Sequence, residues 1–334
     1  MPRTTARRAL LVGINNYVNF DSLESCVADV ESMAAVLSRH VDGKPNYDCK
    51  KLVADGDEQV KRAQLRTVCR ELFAYDGDVL LYFSGHGVIT DTGGLLATSD
   101  AEEDDYGLPL DEIVQMANSS RANNILVIID SCHSGNIGDS ANLNRYNSDH
   151  TLMSALRENM IIIAAAKGDE VALEAGGNGI FTAALVEALE GGAADHMGWV
   201  TAANLYNYVE RRFSSWAQRP VYKAYTTLQP VVRECAPLIE RLKLAELTTL
   251  FPTYDYKFSL DPEFDPEDEN GNFPETVDEE KLRISRLFKD YRDAGLLRPT
   301  EIGEQLFWTA RRSHTVELTA RGREYWGLVK KGII

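Results

Sequence analysis

A doubly wound α/β domain followed by a smaller α+β unit is the fold predicted by this sequence of 334 residues. Three observations carry the prediction. Short apolar runs break into small-residue turns, as in DVLLYFSGHGV (78–88) and NNILVIIDSCHSGN (123–136), the pattern of central strands buried on both faces. Strand-like and helix-like segments alternate through the first 235 residues, the order of a parallel sheet with crossover helices. Beyond residue 254 the charge pattern changes abruptly. Residues 255–280 hold eleven acids against one Lys, a net −10, and residues 281–334 hold twelve Lys/Arg against six acids, a net +6.

Each element has its own signal. RRALLVGI is the first strand, and NNYVNFDSL the turn-rich loop after it. Residues 26–38 place Val27, Val30, Met33, Ala34 and Leu37 on one helical stripe. DCKKLV reads as a short strand, 57–73 as a helix and 78–84 as a buried strand, with a short hairpin expected at GGLLATSD. LPLDEIVQMAN starts a helix with Pro109 near its first turn. A second buried strand runs into DSCHSG, followed by a polar loop without periodicity, a third buried run (MIIIAAA, 160–166) and two amphipathic helices, GIFTAALVEALE and TAANLYNYVERRF. Residues 236–277 are expected to link the domains, as a helix and turn over 236–254 and then an acidic stretch from 255, loosely held through DPEFDPEDENGNFPE. From 278 the reading is a helix ending near Pro299, a short helix, a hairpin and a closing helix.

Composition narrows the function classes. At 44% hydrophobic and 26% charged the chain can bury a core, and no apolar stretch approaches the roughly 18 residues of a membrane span. The apolar part of MPRTTARRALLVGI is too short for a signal peptide and runs directly into a strand, so a cytoplasmic location is expected. Five scattered cysteines (26, 49, 69, 132 and 235) contain no CxxC spacing and read as reduced thiols. The net charge of −16 leaves −12 on residues 1–254, which disfavours nucleic acid as a partner of the main domain.

The chemistry concentrates at two strand ends. In open α/β sheets, ligands bind at the carboxyl ends of the strands. His86 and Cys132 sit at two such ends, so they can meet although they are far apart in sequence. A thiol next to an imidazole is a nucleophile with its acid/base. Gly85 and Gly87 permit close backbone approach, and the N–H groups of Gly87 and Cys132 are candidate oxyanion donors. His133 adjoins the thiol but points elsewhere if the backbone is extended or turned. No third orienting residue is evident.

The segments ALLVGINNY, LESCVADVESMAAVL, YFSGHGV, VIIDSCHSG, AAAKGDEVALE, NGIFTAALVEAL and WVTAANLYNYV resemble, in that order, the caspase-like peptidases (clan CD, family C14), most closely the metacaspase branch of prokaryotes. The resemblance spans about 220 residues and implies a mostly parallel six-stranded sheet flanked by helices and a His86/Cys132 dyad. It also implies a pocket for the residue before the cut (P1) lined by Cys26, Asp29, Ser84 and Asp130. Two carboxylates there would select a basic side chain, Arg over Lys by fork geometry. The sequence DSCHSG differs from the QACRG type of animal caspases, so cleavage after Asp is not carried over. The resemblance further implies Ca²⁺ as an activator, with Asp100, Asp104 and Asp105 as ligands, no cofactor being needed for the chemistry. Self-cleavage in or near the long loop would fall at Arg145, Arg157 or Lys167. An intact loop that orders around substrate is the alternative.

DAGLL followed by VELTARGREYWGLV is similar to the ending of prokaryotic winged-helix domains. That similarity leaves two readings of 278–334: nucleic-acid contact through Arg311, Arg312, Arg321 and Arg323, or a regulatory protein partner. The expectation overall is a cytoplasmic, regulated thiol endopeptidase with a protein or peptide substrate, similar to prokaryotic stress or antiviral effectors. A catalytically silent scaffold and a clan CD protease of other specificity are the alternatives.

Overall fold

The computed structural model describes residues 6–90, 93–103, 105–131, 156–165, 174–175, 178–213, 220–227, 229–266 and 276–334. It divides into two compact units, Met1–Ala236 and Pro237–Ile334.

The first unit runs β1 (Arg7–Ile14), α1 (Cys26–Leu37), β2 (Tyr47–Ala54), α2 (Arg62–Phe73), β3 (Asp78–Ser84), β4 (Gly87–Thr90), β5 (Gly93–Glu102), β6 (Asp105–Pro109), α3 (Leu110–Asn118), β7 (Asn124–Asp130) and β8 (Met160–Ala164). It continues through β9 (Glu174–Ala175), β10 (Asn178–Gly179), α4 (Ile180–Glu187), β11 (Trp199–Thr201), α5 (Ala202–Phe213), β12 (Val221–Tyr225) and β13 (Val231–Glu234). Among the described residues the main sheet has six strands in the order β12-β8-β7-β3-β1-β2. The strands are parallel except for β12, which runs antiparallel along β8. The sequence contains the reason for this central placement: every residue of β3 is buried, as are Ile125–Ile129 of β7 and all of β8. Apolar side chains on both faces have no place at an edge.

Strand periodicity sorts these side chains to opposite faces. Leu81, Phe83, Val127 and Ile129 pack with Leu65, Leu72 and Phe73 of α2 and Ile113 of α3. Leu80, Tyr82, Leu126 and Ile128 pack with Val30, Met33 and Leu37 of α1, Phe181 and Leu185 of α4 and Leu205 of α5. The sheet is therefore covered on both sides, as a doubly wound fold requires. On α1, Val36 is buried while Val27 is only half-buried, and the helix meets α4 as well as the sheet. The expected hairpin at GGLLATSD is the middle of a three-stranded antiparallel sheet, β4-β5-β6, which begins one residue after His86.

The second unit comprises α6 (Arg241–Ala245), α7 (Leu247–Leu250), β14 (Lys257–Ser259), a 3₁₀ turn at Pro262–Phe264, α8 (Glu279–Asp293), β15 (Leu297–Pro299), α9 (Leu306–Arg311), β16 (Thr315–Leu318) and α10 (Ala320–Lys330). Asp278 caps α8 by accepting from the N–H groups of Glu280 and Lys281. The helix stops at Gly295, whose φ of 67° ends it four residues before Pro299, and Leu297 enters a strand. Strands β14, β16 and β15 form an antiparallel sheet.

The described part of the expected linker is folded into this unit. Leu244, Leu247, Phe251, Leu260 and Phe264 are buried, and Phe258 of β14 packs edge-on against Phe288 at 5.0 Å. Apolar residues spaced between the acids were the decisive feature, outweighing the acidic composition. Three of the acids are paired within the unit: Lys281 meets Asp261 and Glu263 at 2.6 Å each and Lys289 meets Asp265 at 3.3 Å.

Candidate active site

β3 and β7 are in register with Ser84 opposite Asp130, and the ladder extends one step further as the Gly85 N–H donates to the Asp130 carbonyl at 3.2 Å. Gly85 is required at this step, because a methyl there would lie 2.6 Å from the Tyr17 hydroxyl. That hydroxyl accepts from the His86 N–H at 2.8 Å, and burial pushes the phenol's ionisation far up, so Tyr17 stays neutral. The imidazole packs against two aromatic rings tilted to its plane. Its centroid lies 4.8 Å from Tyr17 and 5.7 Å from Phe20. Its Nε2 lies 2.8 Å from the Asp21 carbonyl oxygen. A carbonyl only accepts, so Nε2 carries the proton and the neutral ring's basic nitrogen is Nδ1.

A buried acidic cluster lies beside this turn. Tyr82, Ser84, Ile128 and Asp130 share one face of the sheet by the two-residue period. α1 comes down on that face because Gly13 of β1 has no side chain; a methyl there would lie 2.4 Å from the Cys26 carbonyl oxygen. Asp29 thereby reaches the rim, where it is 1% exposed. Its Oδ2 accepts from the Ser84 hydroxyl at 2.8 Å and its Oδ1 from the Gly179 N–H at 3.0 Å. Asp130 accepts at Oδ2 from the Thr182 hydroxyl at 2.6 Å, and from the Thr182 backbone N–H as well. Both carboxylates therefore use donors from the first turn of α4, where helix N–H groups otherwise lack partners. Asp130 is only partly exposed, and burial pushes its carboxyl up to about 6, with the Thr182 donors holding it down. Cys26, 4% exposed, is held neutral by the same burial, its thiol pushed up to about 12.

Among the other residues singled out in the sequence, Cys132 lies outside the described residues, two positions beyond the end of β7, as do Asp104, Arg145 and Lys167. Arg157 is described, and its guanidinium donates to the Ser120 and Glu158 carbonyls while its N–H donates to Asn118. A scissile arginine must be free and extended, so this geometry disfavours cleavage there. Asp100 accepts from the Arg62 N–H and the Thr98 hydroxyl, and Asp105 pairs with the Arg62 guanidinium. Among the described residues no group of three or more His, Cys, Asp or Glu is arranged to hold a metal.

The described cysteines, 26, 49, 69 and 235, are free thiols. Among the described residues no helix is long and apolar enough to cross a membrane. In the second unit Arg312 pairs with Glu304 at 3.0 Å and lies over Trp308, Arg311 lies over Phe307, and Arg323 donates to the Leu318 carbonyl; Arg321 is exposed.

Sequence reasoning missed several groups here. The carbonyl of Asp21 orients the histidine, and no side-chain identity encodes a carbonyl. Tyr17, Tyr82, Gly179 and Thr182 were also missed, since each acts on a partner 52 to 150 positions away or on a turn 69 positions on.

A doubly wound sheet with a carbonyl-oriented histidine just beyond one central strand, and two carboxylates meeting at the same rim, Asp130 from the end of the adjacent strand and Asp29 from α1, is the architecture of a caspase-like peptidase domain. The chain belongs to that family: the caspase domain of peptidase family C14 matches residues 6–232. It is similar to metacaspase-7 of Arabidopsis thaliana, 34% identical over 157 residues, which are 41% of this chain and 36% of the relative. It is also similar to metacaspase-1 of Debaryomyces hansenii, 28% identical over 150 residues, 39% of this chain and 33% of the relative. The chain thus spans about a third of the length of these curated relatives. A crystal structure of a Geobacter sulfurreducens protein superimposes with a TM-score of 0.49 at 18% identity, covering 69% of this chain and 97% of that one.

Proposed function

We propose that this protein is a cysteine endopeptidase that cleaves after Arg or Lys with a His86/Cys132 dyad. The observation that carries the reading is the carboxylate pair. Asp29 and Asp130 converge on Gly179, where a methyl would lie 3.5 Å from one Oδ2 and 3.3 Å from the other. Such a pocket attracts a guanidinium and repels an acidic side chain. It adjoins the strand ends that lead to His86 and Cys132, each two residues beyond a paired position.

In this reading the Cys132 thiolate attacks the scissile carbonyl carbon, and the oxyanion accepts from the N–H groups of Gly87 and Cys132. His86 Nδ1 receives the thiol proton and passes it to the leaving amine as the C–N bond breaks. Water, deprotonated by the same nitrogen, then hydrolyses the thioester and regenerates the thiol. Contact with the tilted Tyr17 and Phe20 rings and Nε2 on the Asp21 carbonyl support this role, because the tautomer selected leaves Nδ1 free to accept. The Ca²⁺ expected at Asp100 and Asp105 would compete with Arg62 for their oxygens. For Pro237–Ile334 we favour a protein partner over nucleic acid, since Lys281, Lys289 and Arg312 are committed to carboxylates within the unit.

Fluorogenic peptides ending in Arg, Lys and Asp, assayed with the wild type and Cys132→Ala, test the proposal. Arg- and Lys-ended peptides are expected to be cut and the Asp-ended one spared, with Cys132→Ala inert. Cleavage of the Asp-ended peptide alone, or full activity in Cys132→Ala, would overturn it.

A further inference from the structure

We infer that Thr182, backed by the buried Tyr82, is a positioning residue that keeps Asp130 ionised and aimed for a basic side chain; this rests on the basic-residue reading above. Thr182 is completely buried, on the first turn of α4, yet it makes no use of a carbonyl one turn back, the common outlet for a helical hydroxyl. Its hydroxyl instead reaches across to Asp130 Oδ2 at 2.6 Å. The Tyr82 hydroxyl lies 2.5 Å from Thr182 Oγ1. One hydroxyl carries one proton. If Thr182 gives its proton to the carboxylate, Tyr82 must donate to Thr182, and the chain runs Tyr82 O–H to Thr182 O–H to Asp130 in one direction.

The direction matters. A chain ending on a carboxylate oxygen stabilises the anion, and polarisation along it strengthens each bond. The groups around Asp130 bring it no positive charge. From α1 come the Asp29 carboxylate and the neutral Cys26 thiol, and from β3 come the Tyr82 phenol and the Ser84 hydroxyl, the latter committed to Asp29. The Tyr82 phenol is itself held far above its usual range by burial and by both carboxylates, so it remains a donor at any working pH. Burial alone would leave Asp130 protonated into the neutral range. A protonated Asp130 offers a guanidinium no charge, and the pocket would lose half its attraction. Thr182 also holds the carboxylate in place, its hydroxyl donating to Oδ2 and its N–H to the same carboxyl group.

The test uses the full chain with ¹³C-carboxyl-labelled aspartate, Asp130 being assigned by the signal lost in Asp130→Asn. In Thr182→Val its titration midpoint is expected to rise by about one unit or more, the size expected when a hydrogen bond to the charged form is lost. Thr182→Ser should leave it in place, and Tyr82→Phe should move it by a smaller amount in the same direction. With an Arg-ended fluorogenic peptide, KM of Thr182→Val should rise about two-fold or more at pH 7, as the ionised fraction of Asp130 falls, and recover by about pH 9, with kcat unchanged. A midpoint that does not move in Thr182→Val overturns the inference whatever the enzyme cuts. A midpoint that moves while KM ignores it overturns instead the basic pocket, and with it the part of Thr182 in specificity.

Discussion

Ser84 and Asp130 face each other across the central β3–β7 ladder, on the same side of the sheet. Ser84 holds Asp29, and Asp130 is held by Thr182, so one rung of the sheet supports both carboxylates of the pocket. The next residues of the two strands lead to the histidine and the cysteine. In the proposed reading the catalytic and selective groups would share one base, and a shift between β3 and β7 would misplace both at once.

Gly179 is the close neighbour of both acids. Gly179→Ala keeps the N–H bond to Asp29 and an unstrained backbone, with φ at −59°, but its methyl would sit 3.3 Å from Asp130 Oδ2. KM for Arg-ended peptides is expected to rise about ten-fold, roughly 1.4 kcal/mol of lost binding, with thermal stability little changed. Steady-state kinetics beside a melting curve checks both halves.

The raised Asp130 carboxyl gives the pocket a pH signature. It lies at about 6 in the folded chain against about 3.9 when unfolded, so folding favours the protonated form. Its contribution to stability is fully present below about pH 3.9 and is lost as the pH rises through 6. A basic ligand has the opposite preference. Melting with and without benzamidine should therefore show ligand stabilisation growing from pH 5 to pH 7.5, while the unliganded chain loses this contribution. Equal stabilisation at both values would rule out Asp130 as the group that meets the cation.

Tyr17 supports the histidine through its backbone rather than its ring nitrogens. Tyr17→Phe leaves the partly buried His86 N–H without its acceptor, at a cost of about 1–2 kcal/mol, and is expected to lower kcat about ten-fold while KM is kept. Denaturant midpoints and kcat separate the two effects. Gly85→Ala should be worse, since its methyl would collide with the same hydroxyl.

The second unit has an aromatic core of its own around Phe288, which is 1% exposed and touches Phe251, Phe258 and Tyr291. Phe288→Ala is expected to cost about 3–5 kcal/mol within that unit. Hydrogen exchange should then accelerate through α8, β14 and β16. If β14 stays protected, the segment once read as linker is not held by this core.

Much of the fold was legible because its signals are local. Full burial of β3, β8 and the middle of β7 follows from unbroken apolar runs, and α5 from its amphipathic period. Strand β12 was missed: VYKAY alternates polar and apolar residues at a sheet edge, and only its pairing with β8 identifies it. A helix and turn are legible over 236–254, but the strand and 3₁₀ turn of the acidic segment that follows were missed for another reason. Its acids dominate the composition, whereas its structure depends on aromatics such as Phe258, whose partner Phe288 lies in α8.

At the site, His86, Asp29, Ser84 and Asp130 were all named from the chain, because turns at strand ends and resemblance to a known family mark them. The sequence by itself determined the doubly wound layout and the residues at the carboxyl ends of its strands, since apolar periodicity and small-residue turns are encoded locally. Only the tertiary structure decided how those residues are partnered: the Asp21 carbonyl on the histidine, Gly179 between the acids, and the Tyr82–Thr182 chain behind Asp130. Such partnerships depend on distances between segments far apart in sequence, and no local pattern records them.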